Sequence, residues 1–508
     1  KPLAVKGGIP PQDAAECVQA DNVELTGTSL IISPGYELHT SRGSGTGRVL
    51  YIANYELNDD TRNLIIVHDD DVFEVAAADT GNWTSIADYG TVATEHVGGV
   101  VFKGSSGTRK LILGNDVSAN TTQEFIRSGG NVNMTAVGGS PPDGWIMAEY
   151  NGYLFLASIN SATLNYTAIE DEDNWAGGGT IGFNEIITGL WPEDNALIVG
   201  TRKQFYQITF QRDASFNLSV PLKEPVQLVA GLRSHKSMIS VQSDVYFLGN
   251  NGIESFGFQP QIDSNNRRIT TPSFKILPLL KTITALSEQR VFGLYKDKRA
   301  MWACALNKET TNNSIVVYDY DYNAWFIRKD IFASSLASFR DANDNEEIYF
   351  GSELSPELYK FNTSYSYNGS GYTRAWKSKI FNFGDSTVYK RFKTITVTGS
   401  IFENTTFYVH VHVDGESTRY QIDSGNLITN LISGNYYADT FYAAAIYGGG
   451  PVDDFYRFTA QLEMDATVRE GLELQIEITN DAPGEPWKID TITIDYEVLQ
   501  RKQIHPAS

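Results

Sequence analysis

The chain has 508 residues, 41% of them hydrophobic, which is enough for a large core and for more than one domain. Its formal net charge of -21 excludes ordinary nucleic-acid binding through a basic footprint, because affinity for DNA comes mainly from lysine and arginine neutralising phosphates. The same charge suits an abundant protein kept soluble by its surface, or a wall along which DNA passes without being held.

No stretch of about 18 apolar residues occurs, and Lys1 to Ala15 lacks the apolar h-region of a secretory signal, so a soluble protein is expected. Cys17 and Cys304 stand far apart and offer neither a disulfide framework nor a paired-cysteine metal signature. A reducing site of synthesis is the simplest reading. Asn-x-Ser/Thr triplets begin at Asn82, Asn120, Asn133, Asn165, Asn217, Asn312, Asn362, Asn368 and Asn404. In a chain this rich in Asn, Ser and Thr they read as chance rather than as glycosylation sites.

An aromatic content of 12%, with 27 Tyr, 26 Phe and 44 Gly, pairs β-favouring side chains with turn formers, as many short strands require. Residues 1–45 read as an extended N-terminal arm, Gly/Pro-rich over Lys1 to Pro11, followed by the first strands. Strand-turn-strand units then recur. Leu64 to Val67, the turn Asp69-Asp70-Asp71 and Val72 to Val75 make the first, and Gly99 to Phe102 with Lys110 to Leu113 the next. Ala148 to Tyr150 with Tyr153 to Ala157, Ala196 to Gly200 with Gln204 to Thr209, and Asp244 to Leu248 with Ile253 to Phe258 follow. Arg290 to Tyr295 with Ala300 to Ala305, and Glu347 to Gly351 with Glu357 to Phe361, complete about seven units between residues 46 and 370. The one passable helical stretch, Ser334 to Glu347, reads better as a strand and a polar turn.

This rhythm predicts an all-β protein with a β-propeller of about six to eight blades over 46–370, since a closed ring of blades removes open sheet edges. A pair of β-sandwiches is the structural alternative. After a Tyr/Asn/Gly/Ser linker at Ser364 to Tyr372, longer alternating runs predict an additional antiparallel β-sandwich over 371–508. Those runs are Lys390 to Gly399, Thr405 to Val413, Phe455 to Leu462, Glu473 to Thr479 and Trp487 to Glu497. Asp439 to Asp454, with Gly448-Gly449-Gly450-Pro451, reads as a mobile or partner-dependent loop.

No catalytic, cofactor or metal residue is assigned. His410-x-His412 shares one strand face and could hold a metal, but without a third ligand it reads as two surface histidines. The acidic runs Asp69 to Asp71, Glu170 to Asp173, Asp341 to Glu347 and Asp453-Asp454 lack EF-hand spacing and read as solvated turns. Ala78 to Trp83, ADTGNW, weakly resembles the Asp-box turn of sialidase-type propellers but does not recur. A glycosidase needs two positioned carboxylates, which 61 acidic residues make uninformative. Gly43 to Gly47, GSGTG, lacks the lysine and helix of a phosphate loop, and no G-x-S-x-G or H-E-x-x-H occurs. Trp83, Trp175, Trp302, Trp325 and Trp376 could stack on sugars or bases, with packing between blades the favoured use.

Five segments in order resemble the tail-nozzle and packaged-DNA stabilisation proteins of short-tailed bacteriophages, which form the head-to-tail hub. Asp21 to Tyr36, DNVELTGTSLIISPGY, is similar to an early strand pair ending in a Pro-Gly turn. Trp175 to Phe210 is similar to that family's transition between blades, and Val229 to Phe258, containing GLRSHKSMISVQSDVYFLGNNGIESFG, to a blade with an Asn-Gly turn. Ser314 to Arg328, SIVVYDYDYNAWFIR, and Glu347 to Val397, through Trp376 and Lys390, complete the series. The resemblance implies a non-enzymatic virion component assembled in the bacterial cytoplasm: a homo-oligomeric ring, expected to be a hexamer. Its implied partners are portal-adaptor proteins, tail fibre or needle proteins and, transiently, DNA in the conduit. The rival functions are a glycan-degrading propeller and a receptor-binding one.

Overall fold

Two kinds of strand pattern separate the chain. In one, a whole strand is apolar and buried on both faces: Tyr153–Ala157 (YLFLA), Leu197–Thr201 (LIVGT) and the end of Arg109–Asn115 (RKLILGN). Such strands need a layer on either side. In the other, buried and half-buried residues alternate, as in Thr406–Val413 (TFYVHVHV) and Leu474–Asn480 (LQIEITN), which suits one covered face. In this computed structural model the first pattern builds a unit of Leu38–Val317 and Asp330–Phe361, and the second a unit of Lys1–Glu37, Tyr318–Lys329 and Asn362–Ser508. The structure describes residues 4–8, 17–26, 29–43, 45–56, 62–76, 83–88, 96–117, 122–128, 131–158, 160–212, 218–226, 230–242, 244–258, 267–340, 345–384, 386–401, 405–423, 456–464, 469–480 and 486–499.

The larger unit is a seven-bladed propeller. Blade 1 is Val49–Glu56, Arg62–His68, Asp71–Ala76 and Thr84–Asp88. Blade 2 is Val97–Lys103, Arg109–Asn115, Gln123–Ser128 and Asn131–Ala136; blade 3 is Ile146–Tyr150, Tyr153–Ala157, Thr163–Tyr166 and Gly179–Gly182. Blade 4 is Ile187–Pro192, Leu197–Thr201, Phe205–Arg212 and Leu218–Pro225; blade 5 is Ile239–Val241, Asp244–Gly249, Gly252–Phe258 and Arg267–Thr270. Blade 6 has Phe292–Lys296, Arg299–Cys304 and Ser314–Asp319. Blade 7 is Ala333–Arg340, Glu346–Ser352 and Glu357–Phe361, with Tyr36–Ser41 as its fourth strand. The ring is therefore closed by a strand from near the start of the sequence. His39 in that strand meets the Tyr349 ring at 5.0 Å, and the Arg42 N–H donates to the Pro356 carbonyl at 3.1 Å.

First strands follow one another around the axis from blade 1 to blade 7 and back to blade 1, with the short 3-10 turn His235–Ser237 standing between blades 4 and 5. Apolar clusters fill the gaps between blades. Tyr55, Ile65 and Val67 pack with Val97, Leu111 and Leu113 across blades 1 and 2, and Val49, Ile52 and Ile66 with Phe339, Tyr349 and Leu358 across blades 1 and 7. Close approach near the axis is possible because some inner positions have no side chain: a Cβ on Gly98 would collide with the Trp145 carbonyl oxygen.

All seven hairpins read from the sequence are present, one per blade, and Ala333–Arg340 is a strand. The linker expected at Ser364 to Tyr372 is instead packed into the smaller unit: Tyr367 and Tyr372 are buried and stack at 3.9 Å. Residues 1–45, read as an arm and first strands, supply paired strands. Ala4–Gly8 pairs antiparallel with Trp487–Val498, Gln19–Asp21 with Arg374–Lys377, and Val23–Thr26 with Ser29–Ile32. The reason is physical: an open edge on a sandwich leaves backbone groups unsatisfied, and these segments cap such edges.

The smaller unit is a two-sheet sandwich. One sheet runs Val23–Thr26, Ser29–Ile32, Trp487–Val498, Lys390–Ile401, Tyr456–Glu463; the other includes Arg374–Lys377, Leu474–Asn480, Thr406–Val413 and Glu416–Asp423. Phe407 of the second meets Phe458 and Trp487 of the first, each at 5.8 Å. Among the described residues no helix is long and apolar enough to cross a membrane. The loop Asp439 to Asp454 lies outside the described residues.

At the sandwich interior Arg328 (2% exposed) donates to Glu24 Oε1 through Nη2 at 2.8 Å and Nε at 3.1 Å, and to Asn362 Oδ1 at 3.3 Å. Asn22, also buried, donates to the Thr373 carbonyl and accepts from Lys329 N–H, each at 2.8 Å. Removing one member of a buried ion pair leaves an uncompensated charge, so Arg328→Met is expected to cost about 3–5 kcal/mol. Urea denaturation followed by circular dichroism checks this, and a loss below about 1 kcal/mol contradicts it.

Candidate functional site

In an antiparallel four-stranded blade, the turn between strands two and three and the link from strand four to the next blade lie on the same face. Several of the propeller's buried ion pairs lie on that face. Arg48 leads into blade 1, Arg233 and Lys236 into blade 5, and Glu288 and Arg290 into blade 6, while Arg202 and Glu353 occupy second-to-third turns of blades 4 and 7. Glu353, with 1% side-chain exposure, accepts at Oε1 from Arg48 at 3.1 Å and from Arg290 at 3.2 Å, tying three blades together. Glu288, 4% exposed, pairs with Arg202 at 2.9 Å through Oε1 and accepts from Arg233 at 2.6 Å through Oε2. Arg42 spans the closing strand and blade 1, with Asp71 at 2.7 Å and His68 Nδ1 at 3.0 Å.

Lys236 stands at the hub of this face, in the His235–Ser237 turn that occupies a place in the inner ring. Its ammonium lies 5.2 Å from the Tyr51 ring centre, 5.5 Å from Trp145 and 5.8 Å from Phe292, side chains of blade 1, the link into blade 3, and blade 6. No hydrogen-bond or ion-pair partner for it exists among the described residues. Trp145, 2% exposed, stacks on His96 at 5.1 Å and meets His235 at 5.8 Å. Loss of water holds the Lys236 amine down at about 7; Arg48 pushes the same way, and Glu353 and Asp116 oppose. Burial, with Lys236 adding, lowers His235 to about 4, and its Nδ1 accepts from the Leu190 N–H at 3.3 Å. Burial raises Tyr51 to about 12, against its bond to the Gly99 carbonyl at 3.2 Å. The residue keeps partial solvent access, so the hub is a desolvated but reachable amine that feels the Arg48 guanidinium.

The residues singled out in the sequence lie elsewhere. His410 accepts or donates at Thr479 Oγ1, 3.2 Å, and His412 at Glu477 Oε2, 2.9 Å, on the sandwich; their rings are 6.5 Å apart. No group of three or more His, Cys, Asp or Glu side chains with metal-holding geometry occurs among the described residues. Glu172 and Glu124 bind Lys110, and Asp173 Oδ1 accepts from the Gly138 N–H at 2.5 Å, so the Glu170 to Asp173 run ties blade 3 to blade 2. Asp69 has φ 55° and serves the blade 1 turn. Glu346 pairs with Lys296 at 3.2 Å and Glu347 with Lys360 at 3.3 Å; residues 341–344 and Asp453-Asp454 fall outside the described residues. Of ADTGNW only Trp83 is described, buried against Phe73 at 5.3 Å. In GSGTG, Gly45 and Gly47 take φ 121° and 104° in the link into blade 1, as a flexible turn requires. Trp302 is buried and its indole donates to the Ser237 carbonyl at 2.9 Å; Trp376 is buried and Trp175 and Trp325 partly so. Cys304 is buried, its thiol pushed up to about 12 by desolvation.

The fold and hub thus define a seven-bladed β-propeller joined in one chain to a β-sandwich. No protein-family model matches the chain, and no curated protein matches it. Among solved structures it is similar to the extracellular domain of a one-component system of B. thetaiotaomicron, at 12% identity and TM-score 0.41, covering 77% of this chain and 47% of that one. The chain therefore spans about half the length of that relative. It is also similar to a chain of the mitotic checkpoint complex (13% identity, TM-score 0.34, 59% and 86% covered) and to one of a complex of BBS1N with ARL6DN (10%, 0.38, 65% and 96%). At these scores the likenesses carry no argument, and the fold rests on the strand pairing itself.

In the unfolded chain Lys236 titrates near its ordinary value of about 10.4, and in the fold at about 7. Between these values the unfolded state holds the extra proton, so this residue makes stability rise with pH from about 7 to about 10, its full penalty being present below 7. Lys236→Met is expected to gain most over the native chain at pH 6 and progressively less toward pH 9. Denaturation midpoints across that range check this; a gap that does not change with pH contradicts it.

Proposed function

We propose that this chain is a structural virion protein of a short-tailed phage: a tail nozzle or hub below the portal-adaptor that seals packaged DNA and forms part of the conduit for its ejection. The observation that carries the reading is the order of the five resembling segments. In this chain they lie on the first sandwich hairpin, the passage from blade 3 into blade 4, blade 5, the Ser314–Asp319 and Ala324–Lys329 strands, and the run from blade 7 into the sandwich.

On this reading the role is mechanical and interfacial rather than enzymatic. Copies form a closed homo-oligomeric ring of six, with the sandwich and N-terminal strands making the subunit contacts. An acidic chain of net charge -21 suits a wall that packaged DNA slides past, since it offers phosphates few counter-charges.

Mass photometry of the purified chain, alone and with a portal-adaptor complex, tests the proposal. A species of six chain masses, or stoichiometric joining of the adaptor, is the expected result. A strict monomer that ignores the adaptor overturns it, and release of reducing ends from host polysaccharide, abolished by one carboxylate substitution, favours a glycan-degrading propeller instead.

A further inference from the structure

We propose that Arg42 and His68 form an acid-released latch at the seam where the propeller closes: a proton on His68 expels the Arg42 guanidinium and frees the closing strand's hold on blade 1. The inference does not depend on the virion reading.

One residue grips the seam from both sides. Arg42 follows the closing strand Tyr36–Ser41, and its backbone N–H donates to the Pro356 carbonyl of blade 7 at 3.1 Å. Its side chain crosses to blade 1. There Nη1 meets His68 Nδ1 at 3.0 Å, Nη2 donates to Asp71 Oδ2 at 2.7 Å, and the guanidinium carbon lies 5.0 Å from the centre of the Phe73 ring. The described residues between Arg42 and Arg48, namely Gly43, Gly45, Thr46 and Gly47, are exposed. Arg42 is thus the side chain that ties this end of the link to blade 1.

The chemistry of the pair fixes its protonation. A guanidinium can only donate, so the imidazole nitrogen facing it must accept, and His68 is neutral with its proton on Nε2. A second proton turns Nδ1 into a donor and sets two cations 3.0 Å apart, donor against donor. That contact cannot persist. The pair also has little room to adjust, because His68 is fully buried and Gly45 of the link lies over it: a Cβ on Gly45 would sit 3.7 Å from both Arg42 Cδ and His68 Cε1.

The charged groups around His68 are Arg42 from the link, Asp69 from the blade 1 turn and Asp71 from the third strand of that blade. Burial comes first in holding the imidazole below its ordinary range, and Arg42 adds to it; Asp69, the Gly47 carbonyl and Asp71 pull the other way without prevailing. The Trp83 ring, 6.0 Å away, brings no charge. With the seam open, His68 meets water and titrates near its ordinary value of about 6.5. The open form therefore takes up the proton first, so the latch holds fully above about 6.5 and the opening constant rises as pH falls below it, until the closed form titrates too.

Hydrogen exchange read by mass spectrometry at pH 7.5 and pH 5.0, corrected for intrinsic exchange chemistry, follows the seam through the peptide that carries the Arg42 amide. Protection there is expected to fall at least about fivefold at pH 5.0, while Tyr153–Ala157 in blade 3 keeps its protection. His68→Asn, whose side-chain oxygen takes the place of Nδ1 without titrating, is expected to abolish the fall. Nitrogen-15 NMR of the native chain is a check that needs no variant: at pH 7.5 the His68 ring should show an unprotonated Nδ1 and a protonated Nε2. Equal protection at the two pH values, a fall that persists in folded His68→Asn, or a protonated Nδ1 at pH 7.5 overturns the proposal.

Discussion

Everything in the larger unit depends on closing a ring of sheets. A four-stranded blade has two open edges and two apolar faces, and neither is stable in water alone. Seven blades arranged around an axis cover each other's faces, and Tyr36–Ser41 completes the last sheet so that the first and last blades can pack together. Strands such as Leu197–Thr201 tolerate a wholly apolar sequence because they are sandwiched on both sides.

Ring closure also explains where polarity goes. With the blade faces taken by hydrophobic contact, charged groups meet across blades at the connections on either face, as Lys110 with Glu172 and Lys296 with Glu346 do on one and the Glu353 and Glu288 clusters on the other. Glu353 and Glu288 each draw in arginines from two neighbouring segments, in effect fastening blades 7, 1 and 6, and 4, 5 and 6. Desolvation of both partners offsets much of the attraction in such buried pairs, so their net contribution to stability is small, whereas removing one partner alone is costly. At the centre of the same face, Lys236 lies among the rings of Tyr51, Trp145 and Phe292.

The hairpins were legible because their signals are local: Asn151-Gly152, Asn250-Asn251-Gly252 and Asp69-Asp70 place turn formers between apolar runs. The alternating sandwich strands were legible for the same reason. Less so were Tyr36–Ser41 and Gln19–Asp21, whose pairing partners lie more than 300 residues away, and Glu416–Asp423, which follows Asp414-Gly415 and is mostly polar, with Ile422 buried. Lys236 was not singled out at all. GLRSHKSM has no spacing that marks chemistry, and its environment is assembled from Tyr51, Trp145, Phe292 and Arg48 of distant segments. The acidic runs, by contrast, stood out in sequence yet serve turns and blade-to-blade contacts, because Asp and Glu suit both.

The central claim, that the ring is closed by a strand from near the start of the sequence, is tested most directly by native-state hydrogen exchange. Those amides of Leu38–Ser41 that bond to Glu357–Phe361 should exchange as slowly as the bonded amides of Glu357–Phe361, through opening of the whole propeller, with the same dependence on denaturant. Exchange of Leu38–Ser41 at the rate of an exposed loop, while Glu357–Phe361 stays protected, would contradict it.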